Sequence, residues 1–141
     1  MAQQARKKAS RPARPSKVQG TFFWHEVYAP DAEASHKFYS ELIGWKTKSM
    51  DMGPGGEYRM FARGRTDLAG VVSTKAPQLK GKAVPPHWLV YIGVDDVDGT
   101  CNHARKMGGK VLMQPMDIPV GRFAVLEDPQ GAVFALFTPK G

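Results

Sequence analysis

The sequence of 141 residues has one cysteine and no long apolar run, and each shortage excludes a class of protein. Because Cys101 stands alone, the chain cannot form an internal disulfide or supply the ligand set of a zinc finger. No stretch approaches the roughly 20 consecutive apolar residues that a membrane-spanning helix requires. We therefore expect a single-domain cytoplasmic protein that has no membrane partner.

Acidic residues are absent from the first 20 residues, which carry six of the chain's 20 lysines and arginines. The rest of the chain has 14 basic against 13 acidic side chains and is close to neutral. The first segment has too few large apolar side chains to offset the entropy cost of folding. Residues 1–20 are therefore predicted to be a disordered basic tail, able to make weak, nonspecific contacts with a polyanion.

The remaining residues, 21–141, show one pattern twice. Each copy has a strand, a helix that begins at an aspartate and ends at a glycine, and three further strands. The next-to-last strand of the second copy is predicted at Gly121–Glu127. Matching residues recur at an offset of 64: Trp24 and Trp88, Asp31 and Asp95, Gly44 and Gly108. Residues 21–74 and 87–139 are therefore predicted to be two βαβββ modules, which the proline- and lysine-rich linker 75–86 joins.

The apolar residues of the first helix predict which side of it is buried. Ala34, Phe38 and Leu42 recur at helical spacing and are expected to face the sheet. His36 in this helix and His103 in the second helix are expected to be solvated.

Several segments of the chain, in their order and spacing, are typical of one known superfamily: WHEVYAPD, FYSELIGW, VPPHWLVYIGVDDVD, MGGKVL, IPVGR and EDPQGAVFALF. With these segments the chain resembles the vicinal oxygen chelate superfamily of glyoxalases, bleomycin-resistance proteins and ring-cleaving dioxygenases. The resemblance implies an α+β fold in which the two modules form a cupped, eight-stranded mixed sheet. It also implies helices on the convex side and a ligand groove on the concave side.

Metal-dependent members of this superfamily hold an ion with His, Gln or Glu side chains from the first and last strands of each module. The resemblance places these residues at the four positions: Trp24, Val71, Leu89 (Trp88 if the alignment slips by one residue) and Ala135. Since none of them can ligate a metal ion, we expect no metal and no other cofactor. The alternative is one divalent ion held by His25 and His87, although only a bulge or a register slip would turn His25 into the groove.

Glu26 is a candidate general base because it shares a strand face with Trp24 and Tyr28. Desolvation in an aromatic-lined groove would raise the pKa of its carboxyl group towards that of a general base. The alternative is an ordinary ion pair with Arg59 or Arg122 on a neighbouring strand.

Three functions stay open at this point. The first is binding of a small molecule without a metal, by a homodimer as is usual for such members of the superfamily, with Trp88 as an additional apolar wall. Its predicted ligand contacts are Trp24, Glu26, Tyr28, Leu89, Tyr91 and Arg122. The second is a glyoxalase-like lyase or a dioxygenase, metal-dependent through His25 and His87 or metal-free through Glu26. The third is a nucleic-acid-binding or scaffold protein that acts through its tail.

Overall fold

The computed structural model describes residues 16–140, in which the chain forms eight strands and two α-helices. In chain order these are β1 (Phe22–Ala29), α1 (Ala32–Ile43), β2 (Lys46–Asp51), β3 (Glu57–Arg63), β4 (Thr66–Ser73), β5 (His87–Gly93), α2 (Val97–Lys106), β6 (Lys110–Ile118), β7 (Gly121–Glu127) and β8 (Val133–Pro139). No helix in this part of the chain is long and apolar enough to cross a membrane.

All eight strands belong to one mixed sheet in the order β2-β3-β4-β1-β5-β8-β7-β6. Within each module the first strand pairs in parallel with the last, so that β1 lies beside β4 and β5 beside β8. The antiparallel pair of β1 and β5 joins the two modules at the centre of the sheet. The α+β class, the two βαβββ modules and the mixed eight-stranded sheet are thus confirmed, and the sheet is open, with β2 and β6 at its edges.

Both helices pack on the same face of the sheet, which we call the helix face. Beneath α1 lie Val27, Phe61, Ala69 and Val71, and beneath α2 a cluster that includes Val94, Leu126 and Leu136. Because side chains alternate along a strand, the neighbouring residues point to the opposite face, which we call the Glu26 face. Its buried cluster consists of Leu89, Tyr91, Val125, Ala135 and Phe137.

Aspartates start both helices, as predicted. The Asp31 carboxylate accepts from the Ala34 amide at 3.0 Å, and α1 ends at Gly44 with φ of 88°. In the second module Asp96 accepts from the Gly99 amide, also at 3.0 Å. Asp96, rather than Asp95, is therefore the counterpart of Asp31. The two modules are thus offset by 65 residues, and the residue of the second module that corresponds to Trp24 is Leu89 instead of Trp88.

The side of α1 predicted to be buried faces outward, which corrects the prediction. Phe38 is 57% and Leu42 66% exposed, whereas Tyr39 packs against the sheet and His36 is buried. The His36 ring donates from Nε2 to the carbonyl oxygen of Met60 at 3.0 Å, which offsets the cost of burying its polar atoms. His36 is thus not solvated, while His103 is exposed as expected.

Residues 16–20, which the sequence assigns to the basic tail, contact the folded body. The Gly20 amide donates to the Gly93 carbonyl at 2.8 Å, and the Gln19 side chain accepts from the Asp95 amide at 2.9 Å. The Ser16 hydroxyl donates to the Asp95 carboxylate. The rest of the predicted tail, residues 1–15, lies outside the described residues.

Candidate functional site

Glu26 lies in the middle of β1 and is only 7% exposed. Two tyrosine hydroxyls donate to its carboxylate, Tyr91 to Oε1 at 2.6 Å and Tyr58 to Oε2 at 2.5 Å. Tyr28, on the same face of β1, lies near this carboxylate and contributes to its electrostatics. Because each carboxylate oxygen has a donor, the buried charge is hydrogen-bonded on both sides. We call Glu26 with Tyr28, Tyr58 and Tyr91 the tyrosine cluster.

The pairing of the strands brings these side chains together. Tyr91 comes from β5, which lies next to β1. Tyr58 comes from β3, and β4 separates that strand from β1. The phenol of Tyr58 crosses β4 over Gly70, the residue that pairs directly with Glu26. The absence of a side chain at this glycine leaves the space through which Tyr58 reaches the carboxylate.

Trp24 extends the network by one hydrogen bond. Its Nε1–H donates to the hydroxyl oxygen of Tyr58 at 3.0 Å, and Tyr58 in turn donates to Glu26. A chain of donors therefore runs from the indole to the carboxylate. Trp24, Tyr28 and Tyr58 are only partly buried, so the edges of these three rings are accessible.

Burial dominates the electrostatics of the cluster. It raises the pKa of Glu26 above its usual value of 4.5, while the nearby hydroxyls of Tyr58, Tyr91 and Tyr28 act in the opposite direction. The pKa values of the three tyrosines are raised by burial and by the nearby Glu26 charge. The phenols therefore stay protonated as donors, and Glu26 is the most acidic group of this cluster.

Five of the six predicted ligand contacts lie together on the Glu26 face: Trp24, Glu26, Tyr28, Leu89 and Tyr91. Arg122 does not join them. It lies on the helix face, where its guanidinium group contacts Asp98 at 2.7 Å and Asp117 at 3.0 Å. The alternation along β7 explains this position, because Phe123 and Val125 point to the Glu26 face.

The ion-pair alternative for Glu26 is wrong. Its observed partners are phenol hydroxyls. Arg59 pairs instead with Glu33 at 3.7 Å and lies 3.5 Å from Nδ1 of His36. Tyr58 and Gly70 are site residues that were not predicted from the sequence. A glycine inside a strand, which often marks the close approach of another group, was the available signal.

The positions at which the superfamily binds metal offer no ligands here. Trp24, Leu89 and Ala135 lie on the Glu26 face, but Val71 packs beneath α1 on the helix face, so that Gly70 takes the β4 position on the Glu26 face. None of these side chains has a nitrogen, oxygen or sulfur atom that can ligate a metal. Among residues 16–140 no group of three or more His, Cys, Asp or Glu side chains could hold an ion. The residues present do not fit the metal that the superfamily implies.

The structure does not bring His25 and His87 together. His25 pairs with Val90 and lies on the helix face, because the bulge in β1 comes before it, between Phe22 and Trp24. His87 lies on the Glu26 face, with its ring stacked on Tyr28 at 5.1 Å between ring centroids. Its Nδ1 donates to the Pro85 carbonyl at 2.7 Å. The two imidazoles therefore cannot share one ion in this arrangement.

Comparison with known proteins agrees with this architecture. A sequence model of the Glyoxalase/Bleomycin resistance protein/Dioxygenase superfamily matches residues 21–136. The Mycobacterium tuberculosis protein named "Putative glyoxylase CFP32" is 40% identical over 121 residues, which cover 85% of this chain and 44% of the relative. Anthracycline biosynthesis protein DnrV of Streptomyces peucetius is 35% identical over 125 residues, which cover 81% of this chain and 45% of the relative. The chain thus spans less than half the length of these curated relatives.

Solved structures show the same fold at low sequence identity. Methylmalonyl-CoA epimerase from Mycobacterium tuberculosis superimposes with a TM-score of 0.60 at 13% identity, over 91% of this chain and 94% of the epimerase chain. At this identity the likeness shows the fold alone. The match to the superfamily over residues 21–136, together with the 40% identical relative, shows that the chain belongs to the glyoxalase/bleomycin resistance protein/dioxygenase superfamily.

Proposed function

We propose that the Glu26 face binds a small organic molecule without a metal ion, and that the tyrosine cluster is its polar anchor. The observation that carries the proposal is the buried, hydrogen-bonded Glu26 carboxylate in the middle of a central strand. Burying a charged group is costly even when it is hydrogen-bonded, and an apolar side chain would stabilise this position at lower cost. A charge retained at such a place is more useful for binding or proton transfer than for stability.

The orientation of the hydrogen bonds indicates which ligands fit. Tyr58 and Tyr91 each donate their single hydroxyl proton to Glu26, so neither hydroxyl has a proton to offer a ligand. The oxygen of the partly buried Tyr58 accepts from Trp24 and keeps one further lone pair as an acceptor. A hydroxyl, amine or amide N–H on the ligand would therefore be bound more tightly than a bare carbonyl group. The partly exposed rings of Trp24 and Tyr28 offer apolar contact beside it.

A thermal-shift screen tests this proposal. We expect compounds that combine an apolar ring system with a hydrogen-bond donor to raise the Tm of the protein. The Glu26→Gln variant should lose most of this shift, and Arg122→Gln, on the helix face, should retain it. Compounds that stabilise wild type and Glu26→Gln equally would place binding elsewhere.

The metal-free part of the proposal is tested by metal analysis. Protein purified without a metal-chelating tag should contain far less than one equivalent of nickel, zinc or iron, because the superfamily positions lack ligands. One equivalent of metal that is lost in His25→Ala or His87→Ala would contradict it.

We keep the homodimer, the cytoplasmic location and the weak polyanion contact of the tail as further proposals. Light scattering tests the homodimer. Polyanion binding by the protein with and without residues 1–15 tests the contact of the tail.

A second candidate function is metal-free proton transfer by Glu26. The raised pKa of its carboxyl group favours this function, because a base that titrates closer to neutral pH accepts and returns protons more readily. A relative with glyoxylase in its name makes hemithioacetals of methylglyoxal and glutathione reasonable test substrates. Turnover that resists a chelator but is lost in Glu26→Gln would support the enzyme, and turnover lost on chelation would exclude this form of it.

A further inference from the structure

All three tryptophans of the chain line one crevice, at the place where β1 and β4 separate. The parallel pairing of these strands begins with Glu26 and Gly70. Before that pair, residues 22–25 of β1 pair with β5, and residues 66–69 of β4 pair with β3. The sheet opens between them into a crevice of about 530 Å³. This volume lies within the range of small-molecule sites.

Half of the residues that line the crevice carry a large aromatic ring: Phe23, Trp24, Trp45 and Trp88. Hydrogen bonds hold two of the indoles in place. Trp88 donates from Nε1 to the hydroxyl of Tyr39 at 3.2 Å, and Trp24 donates to Tyr58 at 3.0 Å. Trp45 and Trp88 stand edge to face, with ring centroids 6.3 Å apart. The rings are therefore fixed before any ligand arrives, which lowers the entropy cost of binding.

Two of these rings, Phe23 and Trp88, are exposed to solvent. Trp88 remains 40% exposed although it is among the largest apolar side chains of the protein. Contiguous exposed aromatic surface is unusual in a soluble protein and marks a place where another molecule binds.

Two apolar residues, Leu68 and Ala69, and two polar ones, His25 and Asp67, complete the lining of the crevice. Asp67 contacts Lys48 through Oδ1 at 2.8 Å, which leaves Oδ2 available as an acceptor. The imidazole of His25 is exposed. The second carboxylate oxygen of Asp67 and a ring nitrogen of His25 can each accept a hydrogen bond from a ligand that lies between the rings. The site thus combines flat apolar walls with hydrogen-bond acceptors.

We propose that this crevice is a binding site for a flat aromatic molecule that carries a hydroxyl or N–H donor. The indole rings stack on the ligand or meet it edge to face, and Asp67 or His25 accepts its hydrogen bond. The site touches the tyrosine cluster only through Trp24, which donates to Tyr58. It does not depend on the function proposed for the Glu26 face.

The three indole N–H groups provide the test, because each gives its own signal in a ¹⁵N-correlated NMR spectrum. The probe is 2-naphthol, and decahydro-2-naphthol, which has the hydroxyl but no aromatic ring, is the matched control compound. We expect 2-naphthol to shift the signals of Trp45 and Trp88 with one common Kd, and the control to bind at least about tenfold more weakly. Amide signals of Met113 and Ile118, at the other end of the Glu26 face, should stay in place.

Two variants remove the site in different ways. Leu68→Trp fills the crevice and Trp88→Leu removes one wall, so each should weaken 2-naphthol binding at least about tenfold. Phe38→Leu is the matched control, because it removes an exposed ring from α1, which lies outside the crevice. If one variant fails to fold, as its NMR spectrum would show, the other and the control compound still decide.

Three results would overturn the proposal. One is the absence of any saturable indole shift with 2-naphthol. Another is equal binding of the saturated control compound. The third is an indole shift that depends on protein concentration without the probe, which would mean that a second copy of the chain occupies the crevice.

Discussion

The phenol of Tyr58 lies so close to Gly70 that a Cβ atom on this glycine would be 1.6 Å from the hydroxyl oxygen. It would also lie 2.2 Å from the ring carbon Cζ. The backbone at Gly70 does not have the positive φ that favours glycine, so the requirement is one of space. The position of Glu26 among its donors therefore depends on a residue that contributes no side chain at all.

Gly70→Ala is accordingly expected to destabilise the protein. The new methyl group would force the Tyr58 ring away from Glu26, which adds the loss of a hydrogen bond to a charged group to the cost of overpacking. We expect a loss of about 1–3 kcal/mol in the free energy of unfolding, measured by urea denaturation.

A double-mutant cycle supplies the control. In a Tyr58→Ala background the space above Gly70 is empty, so Gly70→Ala should cost much less there than in the wild type. Equal costs in both backgrounds would mean that the methyl group acts on the backbone of β4 and not on Tyr58.

The elements of the fold could be predicted from sequence because their signals are local. The strand at Gly121–Glu127 has the predicted bounds, and Asp31 and Gly44 cap α1 as their positions indicate. Capping and alternation depend on residues only a few positions apart. The superfamily resemblance then implied that the two modules join in one eight-stranded mixed sheet.

The partners of Glu26 could not be predicted in the same way. Tyr58 and Tyr91 are 32 and 65 residues from Glu26 in the chain, and they meet it only through the register of three strand pairs. A shift of one residue in β4 separates Gly70 on the Glu26 face from Val71 on the helix face. The buried side of α1 was predicted wrongly for a related reason. The burial of His36 depends on a hydrogen bond to the carbonyl group of Met60, which is 24 residues away in the chain.

Tyr91→Phe tests the hydrogen bond to Oε1 of Glu26. Hydrogen bonds to charged groups contribute about 1.5–3 kcal/mol, and we expect a loss of this size at neutral pH. The pKa of Glu26 should rise further, because one of the hydrogen bonds that lower it is gone. Urea denaturation and a ¹³C NMR titration of the Glu26 carboxyl group measure the two effects. An unchanged pKa would mean that this hydrogen bond does not favour the charged carboxylate.

Cys101 is expected to be unreactive in the folded protein. It lies on the side of α2 that faces the sheet and is only 1% exposed, and burial raises the pKa of its thiol, so both access and the thiolate fraction are low. A coloured disulfide reagent should react with it slowly in buffer and rapidly in urea. Fast, complete reaction in buffer would show that α2 opens readily from the sheet.

The stability of the wild type and of Glu26→Gln should depend differently on pH. The pKa of Glu26 in the folded protein is raised above its usual value of 4.5, so the folded state binds this proton more tightly than the unfolded state does. The resulting stabilisation is fully present below pH 4.5 and is lost as the pH rises through the folded-state pKa. Glutamine has no such proton.

The difference in unfolding free energy, wild type minus variant, should therefore fall by up to about 1.4 kcal/mol per pH unit in this window. Urea denaturation between pH 4 and pH 8 measures it, with the exposed Glu57→Gln as the control. A difference that instead grows with pH would mean that the tyrosine hydrogen bonds outweigh burial and that Glu26 is held as a carboxylate, which would favour a binding role for it over that of a base.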